Sequence, residues 1–145
     1  MEVRPYSPND LAACLRLFDS NRPSYFTAEE RGRFETFLAP PPGNYYVLEN
    51  DGDLLGCGGF AVEPEAGLVS LTWGMVRQDL HRKGLGKFLL FYRLREIGKL
   101  PGISMVRLET SQPTAGFFEK AGGFRVVTHE PDGRVTMVKK LVVCS

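Results

Sequence analysis

The sequence predicts an α/β fold of the α+β mixed-sheet kind, a single domain over residues 1–145 with one mixed sheet and helices on both faces. Three observations carry this. Segments of helical periodicity alternate with extended runs, three extended runs follow one another in the middle of the chain with only turn signals between them, and the chain closes on a hairpin pattern. The resulting order is β-α-α-β-β-β-α-β-α-β-β.

An extended start over residues 2–6 leads to Ser7-Pro8-Asn9-Asp10, an N-cap serine, a proline in the first turn and an acid at the third helical position. Leu11, Cys14, Leu15 and Phe18 then recur at i, i+3, i+4 and i+7, one face of a helix. Thr27 with Glu30 marks a second helix start, which Pro40-Pro41-Pro42-Gly43 stops. "YYVLE", "LLGCGGFAVEP" and "LVSLTWGMV", joined by turns at 50–53 and 65–67, predict a meander of three antiparallel strands. Gly56, Gly58 and Gly59 in its middle strand predict a bulge or the close approach of another backbone.

Residues 85–99 carry apolar side chains at 85, 88, 89 and 92 and also at 90, 94 and 97, which predicts a helix covered over a wide arc. Pro101-Gly102 ends it. A strand "ISMVRLET", a short helix over 113–121, and a hairpin of "FRVVTHE" and "VTMVKKLVV" about Pro131-Asp132-Gly133-Arg134 complete the chain.

A chain of 145 residues with 43% hydrophobic and 24% charged residues can bury a core, and a net charge of +1 gives no overall pull toward nucleic acid. Any anion site has to be local. The cysteines Cys14, Cys57 and Cys144 lack the spacing of a zinc site or disulfide framework, and no metal site is expected. With neither a leader-like N-terminus nor a membrane-spanning apolar run, the expectation is a cytoplasmic protein that engages neither membrane nor nucleic acid.

The chemistry concentrates in His81-Arg82-Lys83-Gly84-Leu85-Gly86-Lys87, where a strand gives way to a helix. A glycine turn at a helix start can hold phosphate, because unpaired amides converge there and the helix dipole adds favourable potential. Gly84 and Gly86 give a ligand access to the main chain, and Arg82, Lys83 and Lys87 supply charge. Two familiar phosphate loops do not fit: a dinucleotide fingerprint requires glycine at Leu89, and a Walker loop requires glycine at His81 and a hydroxyl at Phe88. The residues alone leave a phosphate cradle and a solvated helix start both open.

The wider segment resembles the pyrophosphate-binding motif of the GCN5-related N-acetyltransferases (GNAT). Val76 takes the strand-end position, His81 the Gln/Arg position, and Gly84 and Gly86 the glycines. Downstream, "LETSQPTAGFFEKAGGF" is similar to that family's second signature, and the element order matches across essentially the whole chain. Departures are Gln78 for a common proline, His81 for Gln or Arg, Ser111 for an asparagine, an extra glycine before Phe124, and Phe118 where many members carry a tyrosine.

The resemblance implies splayed central strands and acetyl-CoA as co-substrate, with pantetheine along Met75, Val76 and Arg77 and the diphosphate on His81, Arg82, Lys83, Gly84, Leu85, Gly86 and Lys87. Ser111, Phe117, Phe118 and Lys120 complete the implied cofactor-binding set. The implied reaction is direct acetyl transfer to a primary amine of a small molecule or peptide, with a backbone N–H near Met75 or Val76 polarising the acetyl carbonyl. Glu109 is the candidate base, Glu63 and Glu65 its alternatives. Because Phe118 has no proton to give, Ser111 is the candidate acid, with Tyr92 or water as alternatives. Trp73 is read either as acceptor-pocket lining or as core, and His81 as a phosphate or solvent contact. The alternative function is a CoA-binding module with lost or altered catalysis. "SNRPSYFT", with Arg22, Tyr25 and Phe26, is the expected acceptor region, and the chain is expected to be a monomer or homodimer.

Overall fold

The computed structural model of the chain describes residues 1–21, 27–40 and 42–141. The elements follow in the expected order: β1 (Glu2–Pro5), α1 (Leu11–Ser20), α2 (Ala28–Leu38), β2 (Tyr45–Asn50), β3 (Asp53–Glu63), β4 (Leu68–Val76), α3 (Leu85–Gly98), β5 (Met105–Ser111), α4 (Gln112–Gly122), β6 (Arg125–His129) and β7 (Arg134–Lys140). Hydrogen bonding orders the strands β1-β2-β3-β4-β5-β7-β6 in one mixed sheet. The chain divides into two compact units, Met1–Gly59 with Trp73–Tyr92 and Phe60–Thr72 with Arg93–Ser145, so β3, β4 and α3 each contribute to both.

In the first unit, β1 and β3 flank β2, both antiparallel to it. Asp51 and Gly52 both have positive φ, 50° and 84°, as a two-residue turn matched to strand twist demands, and Asn50 pairs with Asp53 across it. The register slips between Leu48 and Glu49, so a bulge exists, and Leu55 is the residue passed over. Close approach is found as well. A β-carbon at Gly59 would collide with the Asn44 carbonyl oxygen, and one at Gly56 would lie 2.9 Å from that of Met75.

The Ser7 signal opens one turn of 3-10 helix (Pro8–Asp10) before α1, with Asp10 accepting from the Ser7 N–H at 2.9 Å. The Thr27–Glu30 capping box forms as read: Thr27 Oγ1 accepts from the Glu30 N–H and Glu30 Oε1 from the Thr27 N–H, both at 3.2 Å. Cys14, Leu17 and Phe18 of α1 are buried with Phe34 and Leu38 of α2, Tyr45, Val47, Cys57 and Met75. Leu17 is a core position outside the expected stripe, and Leu11 and Leu15 are only partly buried. Cys14 and Cys57 are free buried thiols; the Cys57 hydrogen bond and burial hold the Cys14 thiol well above its ordinary value. Cys144 lies outside the described residues.

In the second unit, β4 and β5 are parallel over Leu68↔Met105, Val69↔Val106 and Ser70↔Arg107, while β5 and β6 are both antiparallel to β7. Val106, Leu108, Ala115, Phe124, Val135 and Met137 form buried positions there. Gly123, at φ 70°, ends α4, and Lys139 Nζ donates to the Gly122 carbonyl at 2.6 Å. The last strand is described to Lys140; its expected final residues 142–143 lie outside the described set.

The periodicity of α3 needs one correction. Leu89, Leu90, Arg93 and Ile97 are buried, but Phe88 and Phe91 are 44% and 46% exposed, so the covered arc is narrower than its apolar residues suggest. Lys87 Nζ sits 5.5 Å from the Phe91 ring centroid, which gives that exposed ring a polar partner.

Candidate active site at the end of β4

The end of β4, the loop after it and the first turns of α3 all lie in the first unit. Phe88 N–H donates to the Gly84 carbonyl at 3.0 Å, so α3 starts at Leu85 and its first amides have no helical acceptor four residues back. Gly84 has φ 84° and Arg82 φ 66°. These left-handed residues on either side of Lys83 turn the main chain sharply into the helix. Arg82, Lys83, Gly84 and Lys87 are exposed, and nothing lies within 4 Å of where a Gly84 β-carbon would stand. The result is an accessible set of amides with cationic side chains around it, an arrangement suited to a diphosphate.

The strand end is firmly held. Arg77 N–H donates to the Leu55 carbonyl of β3 at 2.8 Å, and the Met75 carbonyl lies against Gly56 of the same strand. The C=O and N–H of a trans peptide point in opposite directions, so the Val76 N–H faces away from β3. Of the residues Met75, Val76 and Arg77, it is therefore Val76 that offers its amide on the side away from β3. The Arg77 guanidinium pairs with Asp79 at 2.7 Å, and that contact lowers the Asp79 carboxyl below its ordinary value.

His81 does not reach outward. Its Nε2 lies 2.9 Å from the Val76 carbonyl oxygen, to which Asn21 Nδ2 also donates at 3.0 Å. Ser20 Oγ accepts from the Gln78 N–H at 3.1 Å. Ser20, the last residue of α1, and Asn21 after it open the stretch expected to shape the acceptor region, but nothing in their letters pointed to β4, and only the fold brings them there.

Trp73 has φ 37°, and its carbonyl accepts from Tyr45 Oη at 2.7 Å. Its ring packs 5.2 Å from Phe34 and 6.4 Å from Phe37 between centroids, which makes it a half-buried core residue. Tyr92 packs edge-on against Tyr46 at 5.2 Å.

The remaining candidates belong to the second unit. Glu109, on β5, is exposed and 3.3 Å from Nη1 of Arg134, whose Nε contacts Asp132. Glu63 is 3.8 Å from Arg107. Glu65 sits in the exposed turn before β4. Ser111 stands at the N-cap position of α4 without a side-chain bond to the helix amides, and its Oγ lies 3.0 Å from Thr114 Oγ1, which is also hydrogen-bonded to Thr110. Thr114 in turn donates to the Ser111 carbonyl at 3.0 Å. Phe118 is half-buried, edge-on to Phe117 at 5.1 Å and Phe124 at 6.0 Å, while Phe117 and Lys120 are exposed. Arg22, Tyr25 and Phe26 lie outside the described residues.

The acetyltransferase (GNAT) family model matches residues 12–124, and the chain belongs to that family, which makes it an acyltransferase. No curated protein matches it. Among solved structures it is similar to the ribosomal-protein-S18-alanine N-acetyltransferase of Escherichia coli, with 18% identity and a TM-score of 0.78 over 99% of this chain and 96% of that one. It is also similar to PaiA N-acetyltransferase of Thermoplasma acidophilum in complex with coenzyme A, with 18% identity and a TM-score of 0.75 over 97% and 98%. A GNAT-family protein from Desulfovibrio desulfuricans gives 24% identity and a TM-score of 0.79 over 99% of each chain. At these identities the likeness is one of fold.

Proposed function

We propose that the protein, acting as one domain over residues 1–145, moves an acetyl group from acetyl-CoA directly to a primary amine of a small molecule or peptide. The observation that carries this is the accessible first turn of α3 behind Gly84, ringed by Arg82, Lys83 and Lys87. Family membership gives the reaction class, and the coenzyme A bound to the Thermoplasma neighbour supports the donor. That the Escherichia coli neighbour acts on an alanine amine supports the acceptor class.

In this reading the amides and cations of residues 82–87 take the diphosphate, and the edge at Met75 and Val76 takes the pantetheine. The neutral amine attacks the thioester carbon, the Val76 N–H stabilises the developing oxyanion, the C–S bond breaks, and the amine nitrogen gives up a proton. Glu109 accepts that proton in this proposal, and Ser111, Phe117, Phe118 and Lys120 contribute on the donor side. Protonation of the leaving thiolate falls to Ser111 or water, since Phe118 has nothing to donate. Among the described residues no helix is long and apolar enough to cross a membrane, and a cytoplasmic monomer or homodimer is part of the same proposal.

The second reading, a CoA-binding module without turnover, is favoured by Phe118 alone. Thiol release from acetyl-CoA across a panel of amines separates the two: turnover with at least one amine supports the enzyme, and tight CoA binding with no turnover supports the module.

A further inference from the structure

The Val76 carbonyl accepts from two side chains that are distant in sequence, Asn21 Nδ2 at 3.0 Å and His81 Nε2 at 2.9 Å. A carbonyl oxygen has two lone pairs, and both are engaged. At the other end of the same peptide the Arg77 N–H donates to Leu55. The 76–77 peptide is thus fixed at oxygen and nitrogen alike.

Asn21 is 2% exposed, and its amide also donates to the Leu17 carbonyl at 2.9 Å. The end of α1 therefore grips the end of β4, and the adjacent Ser20 holds the first residue of the turn after Arg77. Burying an amide that serves two carbonyls on different elements is costly unless its geometry is kept, so this contact allows one position of the strand end.

We infer that Asn21 and His81 are positioning residues. They hold the end of β4 so that the Val76 N–H and the loop amides are oriented before the acyl donor arrives, which lowers the reorganisation required in the transition state. The inference rests on the acyl-CoA reading of the loop. It also assigns the proton on His81: a carbonyl only accepts, so Nε2 carries hydrogen and cannot serve as a base.

The test uses the full chain with His81→Ala and His81→Gln, thermal denaturation, steady-state kinetics with acetyl-CoA, and amide hydrogen exchange at Arg77. His81→Ala should lower kcat/KM for acetyl-CoA about tenfold, the loss of one good hydrogen bond, with a thermal midpoint near that of the wild type. Gln retains an N–H donor and should restore most of the loss, with an unchanged pH profile. Faster exchange at Arg77, whose N–H the Leu55 carbonyl holds, is expected in His81→Ala whether or not turnover is found. Equal losses in both variants, disappearance of one limb of the pH profile in His81→Gln, or unchanged exchange would overturn the inference. A wild type with the exchange response but no acetyl-CoA turnover contradicts the acyl-transfer reading instead.

Discussion

Gly56 makes room for the carbonyl of Met75: a β-carbon at position 56 would stand 2.9 Å from that oxygen, with Val76 Cγ2 at 3.5 Å and Leu89 Cδ2 at 3.7 Å beyond it. The atom in the way is backbone, so it cannot swing aside. Gly56→Ala should push β4 from β3 where the Val76 amide is presented, costing about 1–3 kcal/mol of stability as overpacking. Activity should fall roughly a hundredfold, as it does when reacting groups are displaced by about 1 Å. Melting curves and kcat/KM for acetyl-CoA check this, and wild-type values for both would show that the strands are free to adjust.

Glu109 and Arg134 form an exposed pair at 3.3 Å, a contact that contributes about 0–1 kcal/mol at most. Glu109→Gln should therefore leave the melting temperature nearly unchanged. If the carboxylate takes the amine's proton, kcat should drop on the order of a hundredfold or more. Equal turnover by wild type and variant would make Glu109 a solvated strand residue.

Phe118 lies half-buried between Phe117 and Phe124. Phe118→Tyr adds one hydroxyl with little change of ring packing and offers the thiolate a phenolic proton donor beside Ser111 or water. We expect kcat to rise about tenfold or more with KM for acetyl-CoA little changed. An unchanged kcat would mean that protonation of the thiolate does not limit turnover.

Asp10 is 6% exposed and accepts from Arg4 Nη2 at 2.8 Å and Arg4 Nη1 at 2.9 Å, which holds its carboxyl below the usual range. Because the folded value is the lower one, this contribution is complete above the ordinary carboxylate value near 4 and is lost as pH falls through the depressed value. Asp10→Asn should cost roughly 2 kcal/mol at neutral pH and flatten the acid limb of stability. Denaturant melts across the acid range decide it: an acid limb as steep as that of the wild type would remove Asp10 as its source.

Local signals were legible where the physics is local. The Thr27–Glu30 box, the Asp51-Gly52 turn and the glycine at the start of α3 each involve a few neighbouring residues whose backbone requirements show in the letters. The exposure of Phe88 and the burial of Arg93 were not legible, since apolar residues occur nearly all round α3 and only packing decides which face is covered. The side of Val76 that carries its amide depends on how β4 meets β3, and the grip of Asn21 on its carbonyl on the meeting of segments 55 residues apart; His81 is only five residues on, but its turn back to that carbonyl is set by the loop's backbone. The glycines of β3 were noticed, but which backbone each one admits is a property of register.

The most direct test of the account is calorimetric titration of coenzyme A into the wild type and Gly84→Glu. Space is open at Gly84, but φ 84° strains any side chain and the carboxylate would stand among the loop amides. The account predicts saturable binding to the wild type and none to a folded Gly84→Glu, while equal affinity for the two proteins would contradict it.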